Sequence, residues 1–378
     1  MTVRKRGNKW YYSFELAKVD GKRKRVERVG GNTKKEAQEA ERRAHAEYEN
    51  SGHLFEPSKL SYSDYLDYWH ANYVMTNCKY STQRSYREII EKHIKPVLGH
   101  YMIKTIKPAA LQEFLNSKKT KGYSKNYIGN LFGVLSGSLK YAVYPCEFLK
   151  KSPMEHVGMP KMPARDSREN MKIITVDEFN RLITRYPEGS TFYVPLNIGF
   201  YTGMRVGEVC ALQWDDINLT EGTISITKTM IELPKGQYEL TTPKTQSSIR
   251  SIKIGPSLIK ILKKHKTTQK KNKLEYGEHY NVNDFVCTKE NGLPTRMSSM
   301  RYLNRVANFE MGINFSFHSL RHTHVTLLLE AGANFKHIQK RLGHAKLATT
   351  MDIYSHVTDN MITETVELFE QKVKMPTL

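Results

Sequence analysis

The sequence is poor in cysteine, has no long apolar run and carries few acidic residues for its length. Its cysteines (Cys78, Cys146, Cys210 and Cys287) stand far apart and form no CxxC pair. We therefore expect neither a disulfide framework nor a cysteine zinc site, which is typical of a protein in a reducing cytoplasm. No run of about eighteen apolar residues occurs, so we expect no transmembrane helix. The basic residues 1–6 lead into polar ones, so we expect no secretory signal.

The excess of basic residues is the strongest compositional feature of the chain. Lys and Arg total 59 against 38 Asp and Glu in 378 residues, which gives a formal net charge of +21. The excess is +5 over residues 1–56, +10 over residues 57–172 and +6 over residues 173–378. Such a charge can be a solvated surface, but it also favours a polyanion partner, because each neutralised phosphate releases counterions. Since no amphipathic basic helix stands out, nucleic acid is favoured over a membrane surface.

The N-terminal segment predicts a small β-sheet followed by a helix. Apolar and polar residues alternate over residues 9–17, Asp20 and Gly21 form a typical hairpin turn, and residues 22–29 predict the returning strand. Asn32 or Thr33 could cap a helix over residues 34–50. The basic hairpin could be idle, but its charge favours a β-ribbon that enters a DNA groove.

The rest of the chain predicts a helical segment, a linker and a mixed segment. Helices are predicted over residues 61–74, 82–94, from Pro108 onward and 124–144, and the second is expected to stop before Pro96. Three prolines and many charges predict a linker over residues 151–172. Beyond it, the pattern predicts helices over 176–186 and 190–202, strands around Gly222 and on either side of residues 234–236, and mainly helix from Pro256.

Several polar residues in the last segment invite a chemical interpretation, although each has an ordinary alternative. Arg205 could simply pair with Glu208, three residues on, and Lys244 could be a solvated turn lysine. His318 and His322 have the spacing of a helical zinc pair, but Arg321 between them would place a cation beside a cation. His344 follows Gly343 and could interact with a helix C-terminus, and Tyr354 could be a core residue.

Taken together and in order, these residues resemble the catalytic pattern of the tyrosine recombinases of the phage-integrase type. The family pattern is an Arg, a hairpin Lys, His-x-x-Arg, Leu-Gly-His and a Tyr about ten residues later. The sequence supplies all six catalytic positions without a departure: Arg205, Lys244, His318, Arg321, His344 and Tyr354. The resemblance is specific over residues 173–378. It is less specific over residues 1–172, which look like the DNA-binding domains of integrases from phages and conjugative transposons.

The resemblance implies an α+β fold in three domains. Residues 1–56 would be an arm-type DNA-binding domain of a small β-sheet plus a helix, and residues 60–150 a helical core-binding domain. After the linker at 151–172, residues 173–378 would form a mainly α catalytic domain with a small antiparallel β-sheet.

The resemblance also implies the role of each catalytic residue. Tyr354 would attack the scissile phosphodiester and form a 3′-phosphotyrosyl link. Arg205, Arg321 and His344 would stabilise the charge on the phosphate oxygens, because guanidinium is a planar fork of donors that stays charged. Lys244 would protonate the leaving 5′-oxygen, and His318 would accept or relay the tyrosine proton. Glu208 would orient Arg205, and His356 would support Tyr354.

The implied partners are double-stranded DNA with core and arm sites and three further copies of the chain, in a homotetramer on DNA. An excisionase and a host DNA-bending protein are candidate accessory partners, and the tail after Tyr354 would pack on a neighbouring protomer or on its own domain. We expect no metal or ATP requirement, because the covalent intermediate conserves the bond energy and no GxxxxGK[ST] motif occurs. The implied location is the cytoplasm of a bacterial host.

Three alternatives to this function remain open from the sequence. The first is a non-catalytic DNA-binding regulator on the same scaffold, which would need neither Tyr354 nor Lys244. The second is a chromosome-dimer resolvase, but those relatives are shorter and lack such an N-terminal sheet. The third is a type IB topoisomerase, which shares the chemistry but does not need a ribbon that binds a defined sequence.

Overall fold

The computed structural model describes residues 2–19, 22–51, 60–162, 172–243 and 245–343. The chain divides into two compact units, residues 1–164 and 165–378. The division falls inside the segment predicted as a linker. Among the described residues, no helix has the length and apolar character that crossing a membrane requires.

The first unit begins with a three-stranded antiparallel sheet and a helix. The sheet has the order β1 (Thr2–Arg6), β2 (Lys9–Val19) and β3 (Lys22–Gly31), and α1 (Lys34–Ser51) follows it. Strands β2 and β3 and the helix confirm the sequence prediction. Strand β1 was missed because it contains Val3 as its one apolar residue, and its pairing with β2, from Thr2 opposite Ser13 onward, is visible only in three dimensions. The predicted turn at residues 20–21 lies outside the described residues.

Helix α1 packs against one face of this sheet. Tyr12, Phe14 and Ala44 form the centre of the contact. The helix begins as predicted at Thr33, whose hydroxyl accepts a hydrogen bond from the backbone N–H of Glu36 at 3.2 Å. Strand β3 ends at Gly31, and the helix lies so close to it that a Cβ at Gly30 would come within 2.5 Å of Ala37.

The remainder of the first unit is helical. Its helices are α2 (Tyr62–Trp69), α3 (Met75–Asn77), α4 (Tyr80–Ile89), α5 (Lys95–Leu98), α6 (Pro108–Thr120) and α7 (Lys125–Val143). Single π-helical turns join α2 to α3 and α4 to α5. The expected stop before Pro96 is wrong: a π-helical turn at Ile90–Ile94 bonds Lys95 to Ile90 five residues back, and the helix continues past the proline to Leu98.

The helical core also takes in part of the segment predicted as a linker. Met154 and Val157 are buried with the residues of α2, α6 and α7. The side chain of Gln112 exchanges two hydrogen bonds with the backbone of Gly158, at 2.9 and 3.1 Å. Residues 151–158 therefore belong to the helical core, because apolar side chains spaced along this stretch can be buried even though prolines prevent a long helix.

The second unit is a mainly helical domain with small antiparallel sheets. Its helices are α8 (Val176–Arg185), α9 (Tyr193–Thr202), α10 (Val206–Ala211), α11 (Pro256–Tyr276), α12 (Met297–Phe309), α13 (Phe317–Glu330) and α14 (Phe335–Leu342). Its strands are β4 (Ile217–Asn218), β5 (Thr223–Ile226), β6 (Thr229–Glu232), β7 (Tyr238–Thr241) and β8 (Arg250–Lys253). They pair in the orders β4-β5-β8 and β6-β7. These elements confirm the predicted α+β class, including the cap at Thr175 and the break at Gly203.

The apolar core of this unit packs α9, α10 and α13 against one another. Leu196 and Ile198 of α9, Val209 of α10 and Leu320 of α13 are fully buried in a single apolar cluster. Helix α13 approaches α9 so closely that a Cβ at Gly199 would lie 2.8 Å from Leu320. The close contact brings the C-terminus of α9 and the polar side chains of α13 together.

Candidate functional site

Arg205 stands at the start of a short helix, immediately after a turn that glycine makes possible. Gly203 ends α9 in the left-handed region (φ 66°) and turns the chain, and Arg205 then becomes the N-terminal cap of α10. The Arg205 side chain is 36% exposed, so its guanidinium can reach a ligand. The backbone N–H of Arg205 donates to Glu208 at 2.9 Å, and its Nη1 donates to the same carboxylate at 3.0 Å.

Glu208 is a buried carboxylate held by two arginines. Its side chain is 3% exposed and accepts from Arg250 as well as from Arg205. Burial alone would raise the pKa of Glu208, but the hydrogen bonds and charge of Arg250, with a further contribution from Arg205, bring it below its usual value. The carboxylate is therefore ionised, and the contact with Arg205 that the sequence predicted is present.

Arg321 lies on α13 and is buried. Its Nη1 donates to the carbonyl of Gly203 and its Nη2 to the carbonyl of Leu342, each at 2.7 Å. Burial, followed by the nearby charge of Arg205, lowers the pKa of Arg321 to about 9, which leaves the guanidinium charged at pH 7. The two arginines therefore act on each other electrostatically, and an anion that reaches Arg205 also enters the field of Arg321.

His318 lies on the same helix, one turn before His322, and its side chain is exposed. The two rings meet edge to face at 4.7 Å. The surrounding protein partly desolvates the His318 ring, which disfavours its charged form and lowers its pKa. The charges of His322 and Arg321 lower the pKa further. At pH 7 His318 is therefore neutral and can accept a proton. Within the described ranges, no group of three His, Cys, Asp or Glu side chains could hold a metal ion, so this pair has no third ligand there.

The other predicted catalytic residues, Lys244, His344 and Tyr354, lie outside the described residues, as does His356. The backbone next to two of them is described. Ser247 lies in the short 3-10 turn that follows Lys244, and Gly343 ends α14 in the left-handed region (φ 67°) just before His344. A Cβ at Gly343 would lie 2.7 Å from the carbonyl oxygen of Ser247. The segments that lead to Lys244 and to His344 therefore touch each other.

Three further residues of this region were not assigned a role from the sequence. Arg250 is the first residue of β8, Arg341 stands near the end of α14, and His324 lies on α13. Apart from the contact of Arg250 with Ser248, two residues back, their partners are 17 to 140 residues away along the chain. Spacing along the sequence carries no information about such contacts. The sequence therefore offered one hint of a role for these residues, which is that all three lie within or beside the segments that carry the catalytic pattern.

His324, which is buried, and Arg341, which is half-buried, form a neutral–cation pair. Nε of Arg341 lies 3.0 Å from Nε2 of His324, and Nδ1 of His324 lies 2.9 Å from the carbonyl of Phe200. A guanidinium is only a donor, so Nε2 must accept and the ring proton must sit on Nδ1, which donates to Phe200. Burial, followed by the charge of Arg341, lowers the pKa of His324 to about 4. The remaining nitrogens of Arg341 donate to the carbonyls of Lys253 and Tyr201.

Sequence profiles of three known domains match the chain. The profile described as Phage integrase family matches residues 172–361, which is half of the chain. The profile described as Phage integrase, N-terminal SAM-like domain matches residues 61–119, and the one described as Arm DNA-binding domain matches residues 2–48.

Curated relatives align with nearly the whole chain. The ICEBs1 integrase of Bacillus subtilis (strain 168) is 28% identical over 371 residues, covering 95% of this chain and 96% of its own length. The integrase of Staphylococcus phage L54a is 28% identical over 335 residues, covering 83% of this chain and 94% of its own.

Solved structures share the fold. The Tn1549 transposon integrase in complex with a circular intermediate DNA superposes with a TM-score of 0.66 at 19% identity, covering 82% of this chain and 99% of that one. A lambda integrase dimer bound to a COC' core site superposes with a TM-score of 0.56 at 19% identity, covering 77% of this chain and 97% of that one.

Proposed function

The chain belongs to the phage integrase family and is a site-specific tyrosine recombinase, and we propose that it integrates and excises a mobile element through a covalent link to Tyr354. One observation carries the proposal. Arg205, Arg321 and His318 come from the start of α10 and one face of α13, and the segments leading to Lys244 and His344 touch beside them. A phosphodiester bound there would meet cations that stay charged and a neutral imidazole.

The proposed reaction exchanges one ester for another. The Tyr354 oxygen attacks the phosphorus and loses its proton to His318, directly or by relay. The bond from phosphorus to the 5′-oxygen breaks, and Lys244 gives that oxygen a proton. Arg205, Arg321 and His344 stabilise the charge that builds on the non-bridging oxygens. The product is a 3′-phosphotyrosyl link and a free 5′-hydroxyl, and religation is the same reaction in reverse.

His318 fits the role of proton acceptor for an electrostatic reason. An imidazole that is already protonated cannot accept the tyrosine proton. Desolvation by the surrounding protein keeps the pKa of His318 below its usual value, and the charges of His322, Arg321 and Arg205 add to this effect, so the ring is neutral at physiological pH. The same cations favour the phenolate as it forms.

We also propose a separate role for each domain. Residues 1–56 bind arm sites, residues 60–150, on which residues 151–158 pack, bind core sites, and residues 173–378 perform the chemistry. The matches to an arm DNA-binding domain and to an N-terminal SAM-like domain support the first two assignments. Four copies of the chain act on DNA in the host cytoplasm, and an excisionase and a host DNA-bending protein are the proposed accessory partners.

The N-terminal sheet favours a mobile-element integrase over a chromosome-dimer resolvase. The match at residues 2–48 is to an arm DNA-binding domain, and the ICEBs1 integrase aligns with 95% of the chain. Relatives described as tyrosine recombinase XerC of Thermodesulfovibrio yellowstonii and XerD of Listeria cover 68–73% of the chain, whereas a relative described as tyrosine recombinase XerC-like of Caldanaerobacter subterraneus covers 89%.

The test is covalent capture of DNA in the presence of a chelator. Wild-type protein is mixed with a library of labelled duplexes whose core is randomised and nicked close to the expected cut, so that the short fragment bearing the 5′-hydroxyl diffuses away. We expect a protein–DNA adduct that survives denaturing electrophoresis and that is lost in Tyr354→Phe. Tyr302→Phe is the matched control, because Tyr302 is an exposed tyrosine of the same unit and should keep the adduct.

Two results would overturn the proposal. Retention of the adduct in Tyr354→Phe would assign the nucleophile to another residue. Binding of library DNA in gel shifts without an adduct on any selected sequence would support a non-catalytic regulator instead.

A further inference from the structure

Arg250 makes more polar contacts in this region than a simple ion pair requires. Its side chain is 5% exposed. Nη1 and Nη2 donate to the two oxygens of Glu208, at 3.1 and 2.9 Å, in a bidentate arrangement. Nε donates to the carbonyl of Arg341 at 2.7 Å, and Nη1 also donates to the carbonyl of Ser248 at 2.9 Å. One guanidinium therefore joins three separate parts of the fold.

The charges of Arg205, Glu208 and Arg250 together determine the net positive charge that a phosphate meets at Arg205. The Glu208 carboxylate accepts two hydrogen bonds from Arg205 and two from Arg250. With both arginines present, the three charged groups sum to one positive charge. Without Arg250, the buried carboxylate would neutralise Arg205, and a phosphate would meet a site of no net charge at this point.

The backbone contacts of Arg250 lead to two of the proposed catalytic residues. Ser248 belongs to the turn that follows Lys244, and Arg341 precedes Gly343 and His344 by two and three residues. Arg250 therefore fixes the positions of both backbone segments relative to Glu208 and, through it, relative to Arg205.

We propose that Arg250 is a positioning residue for DNA cleavage: it balances the charge of Glu208 so that Arg205 keeps its positive charge for the phosphate, and it holds the segments leading to Lys244 and His344 against this pair. The inference rests on the proposed function. It assigns Arg250 no contact with DNA, since its side chain is 5% exposed and makes four hydrogen bonds within the protein.

A purely structural role for Arg250 makes a different prediction. If Arg250 only stabilised the fold, Glu208→Gln would raise the thermal midpoint of the Arg250→Met variant by removing a buried carboxylate that has lost its partner, but it would not raise the adduct rate of the folded protein. If Arg250 balances the charge of Glu208, replacing that carboxylate by a neutral amide in the absence of Arg250 removes the neutralising charge and restores part of the rate. The sign of this coupling separates the two roles.

The experiment measures the rate of adduct formation on a nicked duplex obtained by covalent capture with the wild-type protein. We expect Arg250→Met to form the adduct roughly 10- to 100-fold more slowly, with DNA affinity within about threefold of wild type. The double variant Arg250→Met with Glu208→Gln should be at least about fivefold faster than Arg250→Met alone. Arg250→Lys, which keeps the charge and loses the fork, should fall between wild type and Arg250→Met.

Arg250→Lys also keeps the test decisive if Arg250→Met fails to fold, because the same Glu208→Gln substitution can be added to it. A lysine retains the countercharge, so Glu208→Gln should then give no gain in rate. Thermal midpoints of all variants report the structural contribution separately.

The possible failures are distinguishable. If wild type forms the adduct but Arg250→Met is as fast, or if Glu208→Gln slows Arg250→Met further, the positioning role of Arg250 is wrong while the proposed function stands. If wild type forms no adduct on any sequence, the proposed function fails and the inference fails with it.

Discussion

Arg321 donates one hydrogen bond to the carbonyl of Leu342, at 2.7 Å, immediately before the left-handed turn at Gly343. Its second hydrogen bond goes to the carbonyl of Gly203, which makes the corresponding turn at the end of α9. One of these turns leads to Arg205 and the other to His344. The buried guanidinium therefore fixes the two backbone turns from which its proposed catalytic partners emerge, in addition to carrying charge.

Arg205 and Arg321 should respond differently to replacement by lysine. Both variants lose the planar fork, so each should slow adduct formation roughly 10²- to 10³-fold. Arg205→Lys should leave the thermal midpoint of the second unit nearly unchanged, because the side chain is 36% exposed. Arg321→Lys should also lose about 2 kcal/mol of stability, because at least one of two buried carbonyls loses its charged donor.

The measurement pairs single-turnover adduct formation with calorimetry. For a unit of this size, a loss of about 2 kcal/mol corresponds to a fall of roughly 4–8 °C in the midpoint. Arg185→Lys is the control, since Arg185 is an exposed arginine of the same unit and should keep both rate and midpoint. Equal midpoints for Arg205→Lys and Arg321→Lys would contradict the dual role of Arg321.

Gly343→Ala should abolish most of the activity while DNA is still bound. The left-handed backbone at Gly343 (φ 67°) disfavours any side chain, and an added Cβ would lie 2.7 Å from the carbonyl of Ser247, so the turn must move. A displacement of about 1 Å of the segment that leads to His344 or to Lys244 would cost roughly 10²-fold in rate.

Gly332→Ala provides the matched control for this prediction. Gly332 has a similar backbone (φ 74°), but a Cβ there would meet no atom within 4 Å. Both variants carry the same conformational penalty, and only the one at Gly343 disturbs the contact with Ser247. Equal adduct rates for the two variants would show that the contact between these segments has no part in catalysis.

The sequence predicted those features of the site that depend on local spacing. Arg205 and Glu208 are three residues apart at a helix start, so their contact follows from helix geometry once Gly203 ends α9. His318 and Arg321 are likewise three apart on α13. Local rules also predicted the strands whose residues alternate between apolar and polar, and the helices that begin at a strong capping residue, such as α8 at Thr175.

The parts that could not be predicted depend on contacts between distant residues or on local exceptions. Arg250 meets Glu208 42 residues away, and Arg321 meets Gly203 118 residues away. Strand β1 exists because β2 offers it an edge, although its own sequence has the composition of a basic tail. The helix continues past Pro96 through a π-helical turn, and residue preferences do not predict where such a turn occurs.

Lys118→Met should stabilise the helical part of the first unit. Lys118 is 5% exposed, its Nζ has a contact of 3.4 Å with Nδ1 of His93, and it lies 4.8 Å from the centre of the Phe114 ring. No carboxylate is among these partners, so burial, with a smaller contribution from Lys121, lowers the pKa of Lys118. Methionine has a similar length and no charge to bury, and we expect a gain of about 1 kcal/mol at pH 7.

The pH dependence supplies a second readout for Lys118. Since its folded-state pKa is lowered, the unfolded chain binds more protons, and wild-type stability should rise as the pH increases toward about 10.5. Lys118→Met should lack this rise on the alkaline side of pH 7. Lys119→Met is the control, because Lys119 is exposed on the same helix and should behave like wild type. A lower midpoint for Lys118→Met than for Lys119→Met at pH 7 would contradict the prediction.

His324 should make the second unit sensitive to mild acid. Its pKa of about 4 in the folded chain lies below the value of about 6.5 expected in the unfolded chain. Between these values the unfolded chain binds more protons. The contribution of His324 to stability is therefore fully present above about pH 6.5 and is lost as the pH falls toward 4, amounting to about 2 kcal/mol lost at pH 5.

His324→Asn isolates this contribution from those of other buried groups. An asparagine amide can replace the donor to the Phe200 carbonyl but cannot take up a proton in this range, whereas the contact of Arg341 with Nε2 is lost. We expect the variant to be less stable than wild type at pH 7.5. Its deficit should shrink by about 2 kcal/mol, or roughly 4–8 °C in midpoint, on going to pH 5.

The matched control for the acid prediction is His337→Asn, since His337 is exposed on α14. Its difference from wild type should stay constant across the same pH range. A constant deficit for His324→Asn between pH 7.5 and 5 would mean that His324 titrates alike in the folded and unfolded chain. In that event His324 and Arg341 could not be the neutral–cation pair that the tautomer argument requires, and the donor to Phe200 would have to be assigned again.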